Sequence, residues 1–530
     1  MDKWIKITGG TGNKDCPPYK MTLSETYDQN KTENTKKRLL RNSIFNSSSW
    51  VINSAIQLLM IPFLVGRLGM NGFGIFFLLI NVIGYSVFAD LGLGQGVIKF
   101  VAEMKARGDI QALNRSVSAA FWVQILLGGA GMTLLIVFSR RFLLLLKVPP
   151  DSMAAAQTGL YLCAVAFFFT MISGTFMSVL MGLQRYDLTS RTTIVTNLVM
   201  NIGIFFALFA GGGFKLAVAV TAAFAPVNCL IFFILMKKSI PTITLFAAFD
   251  LVHFKKLFRF SGYIFISRIS SFFCNYILVF MISFFLGPAI VPLYAVPLRL
   301  INGAMGLLTT ATAVIFPFAS EISIDSSRER LNGLLIQGSS LLAAISIPIN
   351  LAIAAFAMPI LTVWMGKAFA VQASTMLILL AFMSLLGSLT TVPLLIALGL
   401  GHARIVGLFS LITLASYGVL VPTLSALQGL NGLGIALLLT SLPGLFLMTR
   451  VVSKLVGIPL FYYLKKVFSF HILPILLTIV YLIAQAIWFP DDRDWLAFLY
   501  ACFLGSYFIL IAWRFRASFK LVGWNANCRS

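Results

Sequence analysis

The sequence predicts an all-α polytopic membrane protein of about fourteen transmembrane helices, arranged as two duplicated six-helix lobes plus two C-terminal helices. Three observations lead there. Of 530 residues, 59% are hydrophobic and only 11% are charged, where an ordinary soluble domain carries about 25% charged residues. The apolar residues gather in runs of about 20, the length that crosses a ~30 Å hydrocarbon core as helix. Landmarks of charge and glycine then return 218 residues further on. A mean hydropathy of +0.93 excludes a water-soluble enzyme, a disordered regulator and a disulfide-stapled secreted module. No strand-like alternation competes with the long apolar runs, so the spanning elements are helices rather than barrel strands.

In chain order, residues 1–40 are polar, rich in Lys, Asn, Thr and Asp, and read as a disordered cytoplasmic tail, with Met21 a second candidate start. The first span, 45–66, follows that tail and lacks a small-residue cleavage site, which makes it a transmembrane helix rather than a signal peptide. Spans 73–97, 117–138, 153–181, 192–212 and 215–236 complete an N-terminal lobe over 41–236. A cytoplasmic linker, 237–257, leads to a C-terminal lobe over 258–455 with spans 259–286, 290–317, 335–361, 374–399, 405–423 and 430–450. Residues 456–530 hold two last spans, 471–489 and 495–513, and a tail. Prolines inside the spans (Pro62, Pro226, Pro292, Pro297, Pro348, Pro393, Pro443, Pro474) bend helices locally. Such bends suit rocking motion and static packing equally.

The 40 Lys and Arg residues against 17 Asp and Glu give a net charge of +23. With the N-terminus placed in the cytoplasm, 31 basic residues fall on that side, 7 on the other, and Arg268 and Arg299 inside spans. The positive-inside rule therefore predicts that both termini are cytoplasmic. It also accounts for the basic charge without nucleic acid, since no separate basic domain exists. The loops are short, the longest on the outer side being about 14 residues between the third and fourth spans. That leaves no room for the external domain a membrane glycosyltransferase or polymerase generally carries. The acidic cluster Asp491-Asp492-Arg493-Asp494 contains a D-x-D pattern but reads as a solvated turn. Gly366-Lys367 is followed by Ala, so the phosphate-cradling loop of an ATPase is not formed. Six scattered cysteines with no CxxC pair, and three histidines (His253, His402, His471) at loops or helix edges, predict neither metal nor cofactor.

The repeat is read from charges and glycines, because matches between apolar residues are cheap here. Lys37-Arg38-Leu39-Leu40-Arg41-Asn42-Ser43 returns as Lys255-Lys256-Leu257-Phe258-Arg259-Phe260-Ser261. The same offset of 218 places Leu68-Gly69 on Leu286-Gly287, and Phe100 and Glu103 on Phe318 and Glu321. Six spans precede the repeat point, so the two lobes share one orientation and are related by an axis along the membrane normal. Two lobes around a central cavity are a transporter plan.

Several stretches resemble a known family. Leu68-Gly69 through the second span to Asp90-Leu91-Gly92-Leu93-Gly94, and on to Lys99-Phe100-Val101-Ala102-Glu103, is similar to the N-terminal signature of bacterial oligosaccharide flippases. These are the polysaccharide-transporter branch of the multidrug/oligosaccharidyl-lipid/polysaccharide exporter superfamily. Gly182-Leu183-Gln184-Arg185-Tyr186-Asp187 resembles the family's Gly-x-Gln-Arg stretch; Tyr294 to Leu300 and Phe316-Pro317 to Ser320-Glu321 resemble matching parts of its second lobe. The resemblance covers roughly 37–460. It implies a non-enzymatic flippase in the bacterial inner membrane, moving a polyprenyl-diphosphate-linked oligosaccharide by alternating access for surface polysaccharide biosynthesis. Membrane lipid and other polysaccharide-assembly proteins are the partners it implies. Lipid II flippases, a related branch, receive the diphosphate in an arginine-lined cavity, whereas drug/cation antiporters of the superfamily bind cations through acidic residues. A drug or small-solute antiporter stays open as the alternative, and a membrane glycosyltransferase or polymerase as a more distant one.

Candidate site residues follow from position. Arg268 and Arg299 each lie about ten residues into a span, so at ~1.5 Å per residue they sit about 15 Å deep, near the midplane. A charge there costs ~3 kcal/mol or more unless it faces a wet cavity or a partner. The repeat-equivalent residues are Trp50 and Asn81, so these charges are no by-product of duplication. Guanidinium geometry suits bidentate binding of a diphosphate; satisfaction by helix carbonyls and water is the plainer alternative. Asp90, near the cytoplasmic end of the second span, either binds a coupling ion, pairs with a base such as Lys99, or anchors the backbone where Gly92, Gly94 and Gly96 weaken the helix. Arg41, Lys99, Arg185 and Arg259 mark a candidate cytoplasmic entrance for the head group, or ordinary contacts with anionic lipid.

Overall fold

The computed structural model describes residues 23–245, 277–312, 328–444, 451–487, 499–507 and 509–511, with backbone alone over 23–47, 307–312, 452–453 and 484–487 and at 49, 87 and 403. All regular structure among them is helical. Helix α1 (Leu23–Gly84) holds the first expected span and the first half of the second, separated at Gly69, whose φ of 68° and ψ of 173° break the helical path. Its first turns lie in the stretch that composition reads as a disordered tail. Each residue added to an existing helix gains a hydrogen bond, so the polar sequence from Leu23 propagates the helix backwards.

The remainder of the first lobe is α2 (Ser86–Ala89), α3 (Leu93–Arg107), α4 (Ile110–Val137), α5 (Ser139–Leu145), α6 (Pro150–Gly182), α7 (Tyr186–Phe209) and α8 (Phe214–Ser239). Local chemistry sets these ends. The Asp109 carboxylate accepts from the Ala112 N–H at 2.9 Å and caps α4. Pro150 opens α6, where its missing N–H and fixed φ cost nothing. The second lobe comprises α9 (Leu278–Leu286), α10 (Val291–Thr312), α11 (Arg328–Ala355), α12 (Ala357–Met365), α13 (Lys367–Gly399) and α14 (Ala403–Leu439), followed by α15 (Leu460–Phe468), α16 (Ile472–Ile487) and α17 (Leu499–Ile511).

Among the described residues nine helical segments are long and apolar enough to cross a membrane, ten when α15 and α16, bent by 69°, count as one. Trp50–Gly84 covers most of the first expected span and the first half of the second, and Arg404–Gly444 covers most of two more, which part at Gly429 (φ 58°, ψ −129°). The seventh and fourteenth are described over Leu278–Leu286 and Leu499–Ile511.

Helix boundaries repeat with the sequence. Ile110–Val137 and Arg328–Ala355 end 218 residues apart, at Val137 and Ala355, and Pro150–Gly182 and Lys367–Gly399 are displaced by 217 at both ends. Gly69 and Gly287 share one unusual backbone conformation, φ 68° and ψ 173° against φ 88° and ψ 163°. An L side chain rarely tolerates it, which explains why glycine stands at both positions.

The largest apolar core runs across both lobes, with Ala156, Leu160 and Cys163 of α6 and Ala370, Ala373 and Leu377 of α13 fully enclosed. Helices α4, α7 and α14 instead turn large apolar residues outward: Leu126 is 69% exposed, Phe206 64% and Leu411 61%. That outward arrangement is stable against lipid and unstable against water. At one end of the bundle the lobes are bridged directly. Ser283 Oγ donates to the Leu146 carbonyl at 2.7 Å, Lys147 Nζ donates to the Phe285 carbonyl at 2.9 Å, and Gly74 meets Pro288.

Candidate functional site

A chamber of about 650 Å³ lies between the lobes. Helix α1 lines it with Trp50, Asn53, Ser54 and Gln57, α7 with Thr189, Ser190 and Thr193, and α10 with Arg299, Asn302, Gly303 and Gly306. Glycine keeps α10 thin here: a Cβ at Gly306 would fall 1.8 Å from the Trp50 ring. A second cavity of about 140 Å³ extends from the chamber between Ile56, Met60, Phe73 and Phe76, with Asn197 and Asn201 on its polar side. A third, of about 370 Å³, lies within the first lobe beside Asn81, Thr170, Thr221 and Asn228. Arg299 borders all three. Among the described residues lining these cavities it is the one charged side chain.

Arg299 is half-buried and held in place from the opposite lobe. Its Nη1 donates to Oε1 of Gln57, and its guanidinium lies 5.6 Å from the centre of the Phe77 ring, within cation–π range. A guanidinium has five N–H donors in a planar fork, and Gln57, a neutral amide, orients the group through one of them. The surroundings are amide-rich. Asn53 and Gln57 lie one turn apart on α1, as do Asn197 and Asn201 on α7. Asn197 Nδ2 donates to Asn53 Oδ1 at 3.1 Å, and Asn201 Nδ2 to the Asn197 carbonyl at 2.7 Å. A fixed positive charge among neutral hydrogen-bonding groups, in a medium less polarisable than water, attracts anions strongly.

Among the described residues singled out in the sequence, Asp90, Lys99 and Arg185 do not line this chamber. Asp90 sits where the second span breaks, followed by Leu91 at φ 50° and Gly92 at φ 77°. Its carboxylate accepts from the Gly94 N–H at 2.9 Å and from Nε2 of Gln124. It anchors the start of α3, and Gln124 holds it against α4. Lys99 is exposed on α3, its ammonium 5.8 Å from the Phe100 ring. Arg185, exposed at the turn between α6 and α7, pairs with Asp187 at 3.2 Å. Arg41 belongs to the backbone of α1 and its side chain lies outside the described residues, as do Arg259, Arg268 and the Asp491–Asp494 turn. The repeat partners of the two intramembrane arginines do line cavities: Trp50 the central chamber, Asn81 the first-lobe cavity.

Sequence reasoning weighed charges and passed over neutral amides. Asn53 with Gln57 and Asn197 with Asn201 are the lining residues it missed, and the signal was available: amides at i and i+4 inside apolar spans are costly in lipid unless they find a polar neighbour.

Residues 39–323 match the family model described as polysaccharide biosynthesis protein. A Shigella flexneri protein named as a candidate O-antigen transporter is 24% identical over 401 residues, covering 75% of this chain and 94% of that protein. EpsK, an uncharacterized membrane protein of Bacillus subtilis, is 25% identical over 363 residues, 64% of this chain and 69% of EpsK. Among solved structures, the lipid II flippase MurJ in an inward closed conformation superposes with a TM-score of 0.68 at 15% identity, covering 90% of this chain and 99% of that one. An inward-facing multidrug resistance transporter of the MATE family, in the MOP superfamily, superposes with a TM-score of 0.63 at 12% identity, covering 78% and 98%. At such identities the structural likeness carries the fold and nothing finer.

Proposed function

The chain belongs to the polysaccharide biosynthesis protein family, and on that premise we propose that it is a flippase for polyprenyl-diphosphate-linked oligosaccharide in the bacterial inner membrane. The observation that carries this reading is Arg299: one cation, oriented by Gln57, at the meeting point of three cavities between and within two lobes. An anionic head group is drawn to that point, and a neutral glycan fits the amide- and hydroxyl-lined chamber around it. Arg299 and Arg268 bind the diphosphate in this reading, with Arg41, Lys99, Arg185 and Arg259 lining its cytoplasmic approach. Both termini are cytoplasmic, and the bridged end of the bundle faces outward. The lobes open alternately to each side, and no covalent chemistry is required of the protein. Asp90 anchors the backbone rather than a coupling ion, because its carboxylate is already engaged by Gly94 and Gln124.

Arg299→Ala tests this. A charge-assisted hydrogen bond to a buried partner contributes about 1.5–3 kcal/mol, so transport should fall roughly 10- to 150-fold while the protein level stays normal. Arg299→Lys, with a point charge in place of the planar fork, should rescue only part of the loss. Arg268→Ala is expected to behave like Arg299→Ala. An Arg299→Ala protein that inserts and flips the lipid-linked cargo at the wild-type rate overturns the assignment. Drug efflux lost together with unaltered surface polysaccharide would instead favour a small-solute exporter of the same fold.

A further inference from the structure

Each lobe holds an internal cavity beside the central chamber, and the two cavities are related by the duplication. The first-lobe cavity is lined in part by Ile80, Ile83, Gly84, Thr170, Met200 and Phe224. A cavity of about 250 Å³ in the second lobe is lined by Leu298, Ile301, Asn302, Gly387, Tyr417 and Ser441, each 217 or 218 residues further along the chain. The chemistry of the pair has diverged. Arg299 borders the first cavity, whereas the described residues lining the second are all uncharged. Gly84 is replaced by Asn302, which adds an amide. Thr170 is replaced by Gly387, which clears the wall, and Met200 by Tyr417, which with Phe409 supplies aromatic faces.

Four hydroxyls of the second-lobe cavity present acceptors, beside the Asn302 amide and the Tyr417 hydroxyl. Thr390 donates its hydroxyl proton to the Gly387 carbonyl, Thr413 to Phe409, Thr440 to Leu437 and Ser441 to Leu438. A hydroxyl whose single proton is committed to its own helix has only lone pairs left to offer. A fitting ligand therefore brings several donors and flat apolar faces for the rings. An anion meets the lone pairs of these four hydroxyls and finds no cation among the described lining residues to offset them. A bare monovalent cation accepts lone pairs but leaves the aromatic faces and most of the volume unused. A pyranose ring satisfies all of these conditions, with hydroxyl donors around its edge and C–H faces above and below.

Position supports the same ligand. Asn302 and Met305 line both this cavity and the central chamber. On a helix rising ~1.5 Å per residue they lie about 4.5 and 9 Å along the axis from Arg299. We propose that the second-lobe cavity receives the sugar nearest the diphosphate of the cargo. The acceptor hydroxyls of Thr390, Thr413, Thr440 and Ser441 take its hydroxyl protons, and Phe409 and Tyr417 take its ring faces. The proposal rests on the flippase reading above.

The test uses the full chain in proteoliposomes and two fluorescent polyprenyl-diphosphate probes, one carrying N-acetylglucosamine and one carrying no sugar. The quantity read is the ratio of their transbilayer rates. Thr413→Val with Thr440→Val removes two acceptors at nearly constant volume. Each net hydrogen bond is worth about fivefold, so the ratio should fall roughly thirtyfold. Thr413→Ser with Thr440→Ser keeps the lone pairs and should restore it. A ratio that stays at the wild-type value in the valine variant overturns the sugar assignment while leaving the flippase reading intact. A wild-type protein that moves neither probe overturns the flippase reading and the proposal with it.

Discussion

Replacing Gly74 by alanine should force apart the end of the bundle where the lobes are bridged. A Cβ on Gly74 falls 1.9 Å from the Pro288 carbonyl oxygen, and ordinary contact begins at 3.4 Å, so the lobes must separate there by about 1.5 Å. The obstructing atoms, the Pro288 carbonyl oxygen and carbon, are backbone, so no side chain can swing aside to relieve the clash. The same displacement stretches the Ser283–Leu146 and Lys147–Phe285 hydrogen bonds, now 2.7 and 2.9 Å, beyond bonding range. Overpacking of this kind costs about 1–3 kcal/mol. At 1.4 kcal/mol per factor of ten, the equilibrium should move about 5- to 150-fold toward the form open at that end. The readout is the rate at which a membrane-impermeant maleimide labels Leu146→Cys in a background without the native cysteines. The Leu146 side chain is 4% exposed in the bridged form, and its backbone carbonyl still accepts from Ser283 after the substitution. Labelling from the outer side should accelerate by that factor in the Gly74→Ala protein, and transport should slow because one state is disfavoured. An inserted Gly74→Ala protein labelled at the wild-type rate would refute the reasoning: the Gly74–Pro288 contact would then not hold that end shut.

Gln57→Glu puts a carboxylate where the amide oxygen now accepts from Arg299. Neutralising the guanidinium should cut transport about tenfold or more at normal protein level, as measured by surface polysaccharide, while Gln57→Ala should cost less. Asp90→Asn keeps an acceptor for the Gly94 N–H, so transport should persist; Asp90→Ala loses that cap and should lower thermal stability by about 1 kcal/mol without changing the substrate dependence. Transport lost in the asparagine variant would instead identify Asp90 as a coupling charge. Reporter fusions in the 237–257 loop and at the C-terminus should both read cytoplasmic, and a signal from the outer side at either would break the charge argument.

The sequence alone determined the apolar spans and the duplication, because each of these is a property of position along one chain. An apolar run of about 20 residues has few fates besides crossing a bilayer. Glycine at 69 and again at 287 marks the repeat in the sequence, and the two share matching backbone angles. The break in the second span was also legible, since Asp90 and three nearby glycines describe a weakened helix. The neighbours of Arg299 were decided by tertiary structure. Gln57, 242 residues away, and Phe77 reach it only because α1 of the first lobe packs along α10 of the second. The amides of α1 and α7 became chamber residues for the same reason. Hydrophobicity fixes how deep a residue sits but says little about which way it faces in an almost uniformly apolar helix, and that rotation is set by packing against neighbouring helices. The divergence of the paired cavities, Gly84 against Asn302 and Thr170 against Gly387, likewise acquires meaning only once both lobes are folded and the equivalent positions are seen to line equivalent spaces.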